Sequence, residues 1–239
     1  MAKNVTKAKK AAKPKAAKSA KPKVKAKAKP TKAKAAKASA RATVSVGRIV
    51  TPSQTVGPYY RLGFGPIPAV SGPQIPGERV TIVGRLLDGD GAPIPDGMLE
   101  TWQANARGKY DHPEDWQDKQ TTPGFSGFGR WIPAKDGTFR IETLRPGAVP
   151  YPGTDSERRG QAQAPHLIVT VFSRGLLKHV ITRIYFEGDP MLGSDPVLKL
   201  VKDAARRDTL IAKADPANPG TYRWDVRLQG AGETVFFDI

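Results

Sequence analysis

The chain has 239 residues and a formal charge of +17, from 39 Lys and Arg against 22 Asp and Glu. It has no Cys, which excludes a disulfide framework, a thiol nucleophile and a thiolate-ligated metal. No apolar run approaches the ~18 residues of a membrane span, and the start lacks the apolar core of a secretory signal.

The charge is concentrated in one place. Residues 1–41 contain 15 Lys, one Arg and no acid, leaving 23 basic residues against all 22 acids in residues 42–239. Ala and Lys favour helix, but Pro14, Pro22 and Pro30 interrupt it every eight residues, and there is no aromatic residue to bury. The expectation is a disordered basic tail over residues 1–48 and one domain over residues 49–239. Clustered Lys of this kind binds phosphate backbones without reading sequence. A solubilising extension, or an artefact of the assigned start, gives the same composition. A soluble, cytoplasmic protein is expected.

Residues 42–239 hold 24 Gly and 19 Pro, roughly double the usual share of ~12%. That density of turn formers predicts short strands joined by irregular loops. The stretch Val50–Gly77 reads as an extended arm that needs a surface to lie against. Glu78–Leu87 alternates, with Val80, Ile82 and Leu86 on one face, and ends in the turn Asp88-Gly89-Asp90-Gly91. Further strands are predicted over Met98–Ala104, Thr138–Thr143, His166–Arg174, Val180–Phe186, Tyr222–Leu228 and Thr234–Ile239. One helix is predicted, capped by Ser194 or Asp195, with Pro196 in its first position and Val197, Leu198, Val201 and Ala205 at helical spacing. Strands without intervening helices indicate a mostly β fold, a β-sandwich.

There is no phosphate-binding glycine loop, no nucleophile elbow and no His-Glu-x-x-His pair. Of the three histidines, His112 reads as a solvated loop residue and His179 as a surface residue. His166 opens the strongest strand, where period two places His166, Ile168, Thr170, Phe172 and Arg174 on one face. A His and an Arg bracketing an apolar face make either a pocket wall or two strand ends.

Five motifs go further. Thr51-Pro52-Ser53-Gln54-Thr55-Val56-Gly57-Pro58-Tyr59, Glu100–Tyr110 (ETWQANARGKY), Arg145-Pro146-Gly147, Ala164-Pro165-His166 and Ile184-Tyr185-Phe186 occur in this order. They resemble the intradiol ring-cleavage dioxygenases, in particular the related alpha and beta chains that act on protocatechuate. The ending Leu228–Ile239 (LQGAGETVFFDI) is similar to the alpha type. The resemblance implies a β-sandwich and a ferric ion, Fe(III), held by two Tyr and two His. Tyr110 and His166 match two of those positions, whereas Val149 and Ile168 stand at the other two and Gln163 replaces an active-site Arg. Shifting the register to use Tyr151 still leaves Ile168 without a donor.

The resemblance therefore implies that this chain carries no metal and no catalytic residue of its own. The iron is expected on a related beta subunit, whose pocket this chain completes for cleavage of protocatechuate by O2 to 3-carboxy-cis,cis-muconate. Thr55, Gly57 and Pro58 are carried over as an arm lining that substrate cavity. Arg174 is carried over as a partner for the substrate carboxylate. The alternative readings are a polyanion-binding protein with an inert sandwich, and a self-sufficient intradiol enzyme, which Ile168 argues against. Removing residues 1–41 is expected to abolish most low-salt retention on DNA while leaving ring cleavage by the reconstituted complex unchanged. If ~6 to 10 Lys reach phosphates, retention weakens by orders of magnitude between low and moderate salt. Salt-titrated DNA retention of full-length and shortened chains checks this.

Overall fold

In a computed structural model of the protein, residues 52–57, 59–70, 72–153, 155–238 are described. The basic segment 1–41, the expected boundary at residues 48 and 49, and Pro58 lie outside the described residues. Among the described residues, eleven strands carry the fold: β1 (Arg79–Leu87), β2 (Met98–Trp102), β3 (Phe128–Trp131), β4 (Thr138–Leu144), β5 (Val149–Pro150), β6 (Ala162–Gln163), β7 (His166–Phe172), β8 (Val180–Phe186), β9 (Ile211–Ala214), β10 (Thr221–Arg223) and β11 (Val226–Arg227). The fold is mostly β. Among the described residues one α-helix occurs, the five-residue α1 (Ala204–Asp208), which precedes β9.

The strands form two packed layers. In the first, β3, β2, β7 and β8 run antiparallel to their neighbours. In the second, β1 pairs antiparallel with β4 on one side and parallel with β10 and β11 on the other. Strand β9 joins them: its first residues pair with Tyr185 and Phe186 of β8, and its last with Tyr222 and Arg223 of β10. The alternation predicted for β1 is what fills the interior, since Val80, Ile82 and Leu86 meet Leu99, Leu167, Val169, Val171 and Ile184 from the facing layer. All are nearly inaccessible to water, and burial of this apolar area is the main stabilising term.

Several predicted elements end elsewhere, each for a local reason. The strand from His166 stops at Phe172, and Ser173–Gly175 turns, with Gly175 at φ +86°. Arg174 therefore leaves the face that His166 occupies. The predicted Tyr222–Leu228 strand breaks at Trp224 and Asp225, where Asp225 Oδ1 accepts from Arg85 N at 2.8 Å in place of a backbone partner. The closing segment from Thr234 makes one bridge, Ile181 to Phe237, while Thr182 Oγ1 donates to Val235 O at 2.7 Å. Asp195 does cap a turn, accepting from Val197 N and Leu198 N at 2.8 Å each, but that turn is a short 3₁₀ segment. Val201 is extended, and the α-helix starts later with Asp203 as its cap. Strands β3, β5, β6 and β9 are too short to show a period in the sequence.

The arm finds part of its support on the domain itself. Ile67 and Arg130 exchange two backbone hydrogen bonds of 3.0 and 2.8 Å, adding an arm residue to the β3 edge. The Arg130 guanidinium lies 4.6 Å from the Phe64 ring centroid and pairs with Glu100 at 2.7 Å.

Where β1 passes Trp224, no side chain fits. A Cβ on Gly84 would lie 1.6 Å from Trp224 O and 2.9 Å from the Phe139 ring. Gly84→Ala is therefore expected to destabilise the domain by about 1 to 3 kcal/mol, the usual scale for overpacking. A lowered denaturant midpoint with an unchanged slope is the expected readout.

Candidate functional site

A cavity of about 470 Å³ opens on the side of β2, β7 and β8 that faces away from the core. Register builds its floor. Ile168 pairs with Trp102 on one side and with Arg183 on the other, so an indole, a sec-butyl group and a guanidinium lie in one row across three strands. One step along, His166 pairs with Tyr185, their ring centroids 5.5 Å apart. Tyr110 stacks on Trp102 at 5.9 Å and 11°, and Val149, Gln163 and Trp116 complete the wall. Tyr110, Val149, Gln163, His166 and Ile168, scattered over almost sixty residues, thus line one space. Tyr151 does not line it, although its neighbours Pro150 and Pro152 do.

Two glycines let the loops meet. A Cβ on Gly108, at φ +74°, would lie 2.0 Å from Ala148 O, and one on Gly147 would lie 2.5 Å from Gly108 N. This backbone-to-backbone approach sets Tyr110 beside Val149. Buried Asn105 fixes the loop: its Oδ1 accepts from Arg107 N and Lys109 N at 2.9 and 3.0 Å, and its carbonyl accepts from Gly108 N and Gly147 N. Asp115 accepts from Tyr110 N and Gln117 N at 2.8 and 2.9 Å.

The electrostatics centre on Arg183. Its Nη1 donates to Gln163 Oε1 at 2.7 Å and to Tyr185 Oη at 3.3 Å. Buried Asp195 accepts from Tyr185 Oη at 3.3 Å and from Ala164 N at 2.8 Å, and Ala164 O in turn takes the proton of His166 Nδ1 at 2.7 Å. That bond fixes the His166 tautomer, with the proton on Nδ1, and leaves Nε2 buried with no hydrogen-bond partner among the described residues. Burial first, then the Arg183 charge, lowers its proton affinity from 6.5 to about 3. Burial raises the Tyr110 phenol above its ordinary value, with Arg183 opposing.

The comparisons with known proteins agree with this architecture. A family model described as Dioxygenase matches residues 65–230. The chain is 41% identical to the protocatechuate 3,4-dioxygenase alpha chain of Burkholderia cepacia, over 79% of this chain and 97% of that one. It is 36% identical to the alpha chain of Pseudomonas putida, over 79% and 96%. The chain belongs to the intradiol ring-cleavage dioxygenase family. The Burkholderia cepacia beta chain is also similar, at 35% identity over 66% of this chain and 67% of its own length. Among solved intradiol structures, the 3-chlorocatechol 1,2-dioxygenase of Rhodococcus opacus shares the fold at TM-score 0.52 and 19% identity, covering 75% of this chain and 67% of that one.

Ferric iron, which intradiol membership implies, does not fit the residues present. Tyr110 Oη and His166 Nε2 are the donors at the four positions, Val149 and Ile168 offer hydrocarbon, and Arg183 adds a fixed positive charge to the same cavity. No group of three or more His, Asp or Glu that could hold a metal occurs among the described residues. No described helix is long and apolar enough to cross a membrane.

The other residues singled out from the sequence lie elsewhere. Thr55 is exposed and Gly57 half-buried at φ +72°. Tyr60 Oη, from the same arm, lies 2.7 Å from Asp96 O and 3.1 Å from Phe172 O, and Arg174 Nε pairs with Asp96 Oδ2 at 2.6 Å. Asp96 thus ties the arm to Arg174, whose side chain is 64% exposed. His112 is exposed at the rim of the cavity, with Nδ1 accepting from Glu114 N at 3.2 Å, and exposed His179 packs on Phe172 at 5.5 Å. Sequence reasoning passed over Arg183, and it named Asp195 only as a helix cap and Asn105 only within a motif. A lone Arg within the apolar strand Val180–Phe186 was the available signal for the first.

His166 has a consequence for stability. As the pH falls through 6.5 the unfolded chain takes up a proton that the fold refuses until about 3. Its contribution is therefore complete above pH 6.5 and lost between about 6.5 and about 3. Denaturant titrations from about pH 7 to about pH 4 are expected to show falling stability in the wild type and a shallower fall in His166→Leu.

Proposed function

We propose that this chain is the alpha subunit of an alpha–beta protocatechuate 3,4-dioxygenase, and that it completes the substrate pocket of an iron-bearing beta subunit. The observation that carries the reading is the similarity to alpha chains over nearly their entire length, joined to a pocket with two of the four expected donors. Iron and ring opening to 3-carboxy-cis,cis-muconate then belong to the partner. This chain supplies binding groups: Thr55, Gly57 and Pro58 on the arm, and Arg174.

The surface around these residues supports that role. Val56, Tyr59, Leu62 and Phe64 are exposed apolar side chains on the arm, Tyr59 at 76% and Leu62 at 83%, an arrangement suited to burial against a second chain. Arg174 Nε lies 2.6 Å from Asp96 Oδ2 while its side chain stays 64% exposed, so much of the guanidinium remains open to a carboxylate. Asp96 is the positioning group and Arg174 the binding group.

Expressed alone, the chain is expected to purify without stoichiometric iron and without tyrosinate-to-iron colour. In the reconstituted complex, Arg174→Ala is expected to weaken transition-state binding of protocatechuate on the order of 1.5 to 3 kcal/mol, roughly one to two decades in kcat/KM. Catechol, which lacks the carboxylate, should change far less, and Arg174→Lys should restore part of the loss. Parallel steady-state kinetics on the two substrates decide the matter: equal losses would assign Arg174 to folding or assembly instead.

A further inference from the structure

The cavity on this chain is not an empty remnant of a metal site, because its polar groups form a different recognition pattern. Arg183 lies in the centre of a strand, half-buried; its hydrogen-bond partners among the described residues are the neutral oxygens of Gln163 and Tyr185, and the Phe237 ring centroid lies 5.9 Å from it. A guanidinium in a partly desolvated position gains most from a carboxylate, which it can engage through two parallel N–H donors. The carboxylates that line the cavity do not take this place. Asp115 is committed to Tyr110 N, Gln117 N and Lys109 Nζ, the last at 3.4 Å, and Glu114 is exposed at the rim.

The second polar group is His166 Nε2. The ring is 3% exposed and its Nδ1 proton is used by Ala164 O, so Nε2 is an acceptor without a donor. A buried unsatisfied acceptor costs about 1 to 3 kcal/mol; Nε2 is closed to water in this structure, so a ligand hydroxyl relieves that cost once a cavity side chain gives way. Between and around these two groups the walls are flat and apolar: the stacked Trp102 and Tyr110, Trp116, Val149, Pro152 and Ile168. A space of about 470 Å³ lies at the small end of ligand cavities and suits a single ring.

From this geometry we infer that the cavity binds a small aromatic carboxylate carrying a ring hydroxyl, with Arg183 on the carboxylate, His166 Nε2 accepting from the hydroxyl, and no metal. The site holds its ligand without transforming it, since the row supplies two of the four donors that an iron would need and no nucleophilic side chain. This goes beyond the assignment of the chain as a subunit: it gives the chain a binding site of its own, on residues that the arm and Arg174 do not share.

The test uses the full chain, titrated by calorimetry and by tryptophan fluorescence with benzoate, benzamide, and 3- and 4-hydroxybenzoate. Benzoate is expected to saturate one site per chain and to bind about tenfold or more tightly than benzamide, which has the same shape without the charge. At least one hydroxybenzoate is expected to bind more tightly than benzoate. Arg183→Gln should remove the preference for the carboxylate, and Arg174→Ala should leave it unchanged. Should Arg183→Gln fail to fold by circular dichroism, Ile168→Trp, which keeps Arg183 and fills the cavity, takes its place and is expected to abolish binding. No saturable binding, equal binding of benzoate and benzamide, no gain from either hydroxyl, or binding that survives Ile168→Trp and is lost in Arg174→Ala, would each overturn the inference. The last result would move the ligand to the arm.

Discussion

The antiparallel register of β7 and β8 is the constraint on which the site depends. It sets His166 against Tyr185 and Ile168 against Arg183. The same alternation sends Leu167, Val169 and Ile184 into the core. A slip by one residue would exchange the faces and expose the core set, so the identity of the cavity floor is fixed by the same burial that holds the two layers together. Asp195 then locks the end of this pair. Fully buried, it joins Ala164, Tyr185 and the turn at Val197 through four hydrogen bonds, and so decides where the His166 ring sits and which of its nitrogens holds the proton.

Much of this was legible in the sequence where side-chain periodicity is strong. The bounds predicted for β8 are those observed, β1 and β4 differ by one residue at one end, and the alternation of Val80, Ile82 and Leu86 identified the core face. Of the positions named from motif resemblance, Tyr110, Val149, Gln163, His166 and Ile168 meet in one cavity, which no periodicity could have shown, because the loops at Gly108 and Gly147 meet only through long-range backbone contact. What was illegible has a common physical origin. A break at Asp225, a bridge in place of a closing strand and a turn capped by Asp195 all arise where a side chain takes a backbone hydrogen bond. Such substitutions depend on residues 50 or more positions away, or on a shift of a turn by a few residues, and leave no local pattern. Arg183 was passed over for a related reason: its strand reads as apolar, and the meaning of one charge there appears only when the neighbour across the ladder is known to be Ile168.

The arm illustrates how one segment serves two surfaces. Phe64 and Ile67, though exposed, are anchored by Arg130 and the β3 edge, and Tyr60 by the carbonyls of Asp96 and Phe172. Between and before these anchors, Val56, Tyr59 and Leu62 face outward. Anchoring at several points lowers the entropy that such a segment would lose on meeting a second chain, so the exposed residues are presented already in place.

The row Trp102–Ile168–Arg183 also makes the present chemistry of the cavity difficult to undo one residue at a time. A histidine at position 168 would gain a ring nitrogen but would sit directly across the ladder from a guanidinium, whose charge repels any cation that the nitrogen could attract. A tyrosine at position 149 would meet the same charge across the cavity. A neutral side chain at position 183 would release that repulsion, yet with Val149 and Ile168 unchanged it would create no donor, and Gln163 and Tyr185 would lose their shared partner. Each single change is therefore unrewarded by itself, because a donor at one of the two positions is of little use while the other stays hydrocarbon. Two hydrocarbon positions thus act together as a ratchet on what this pocket can become.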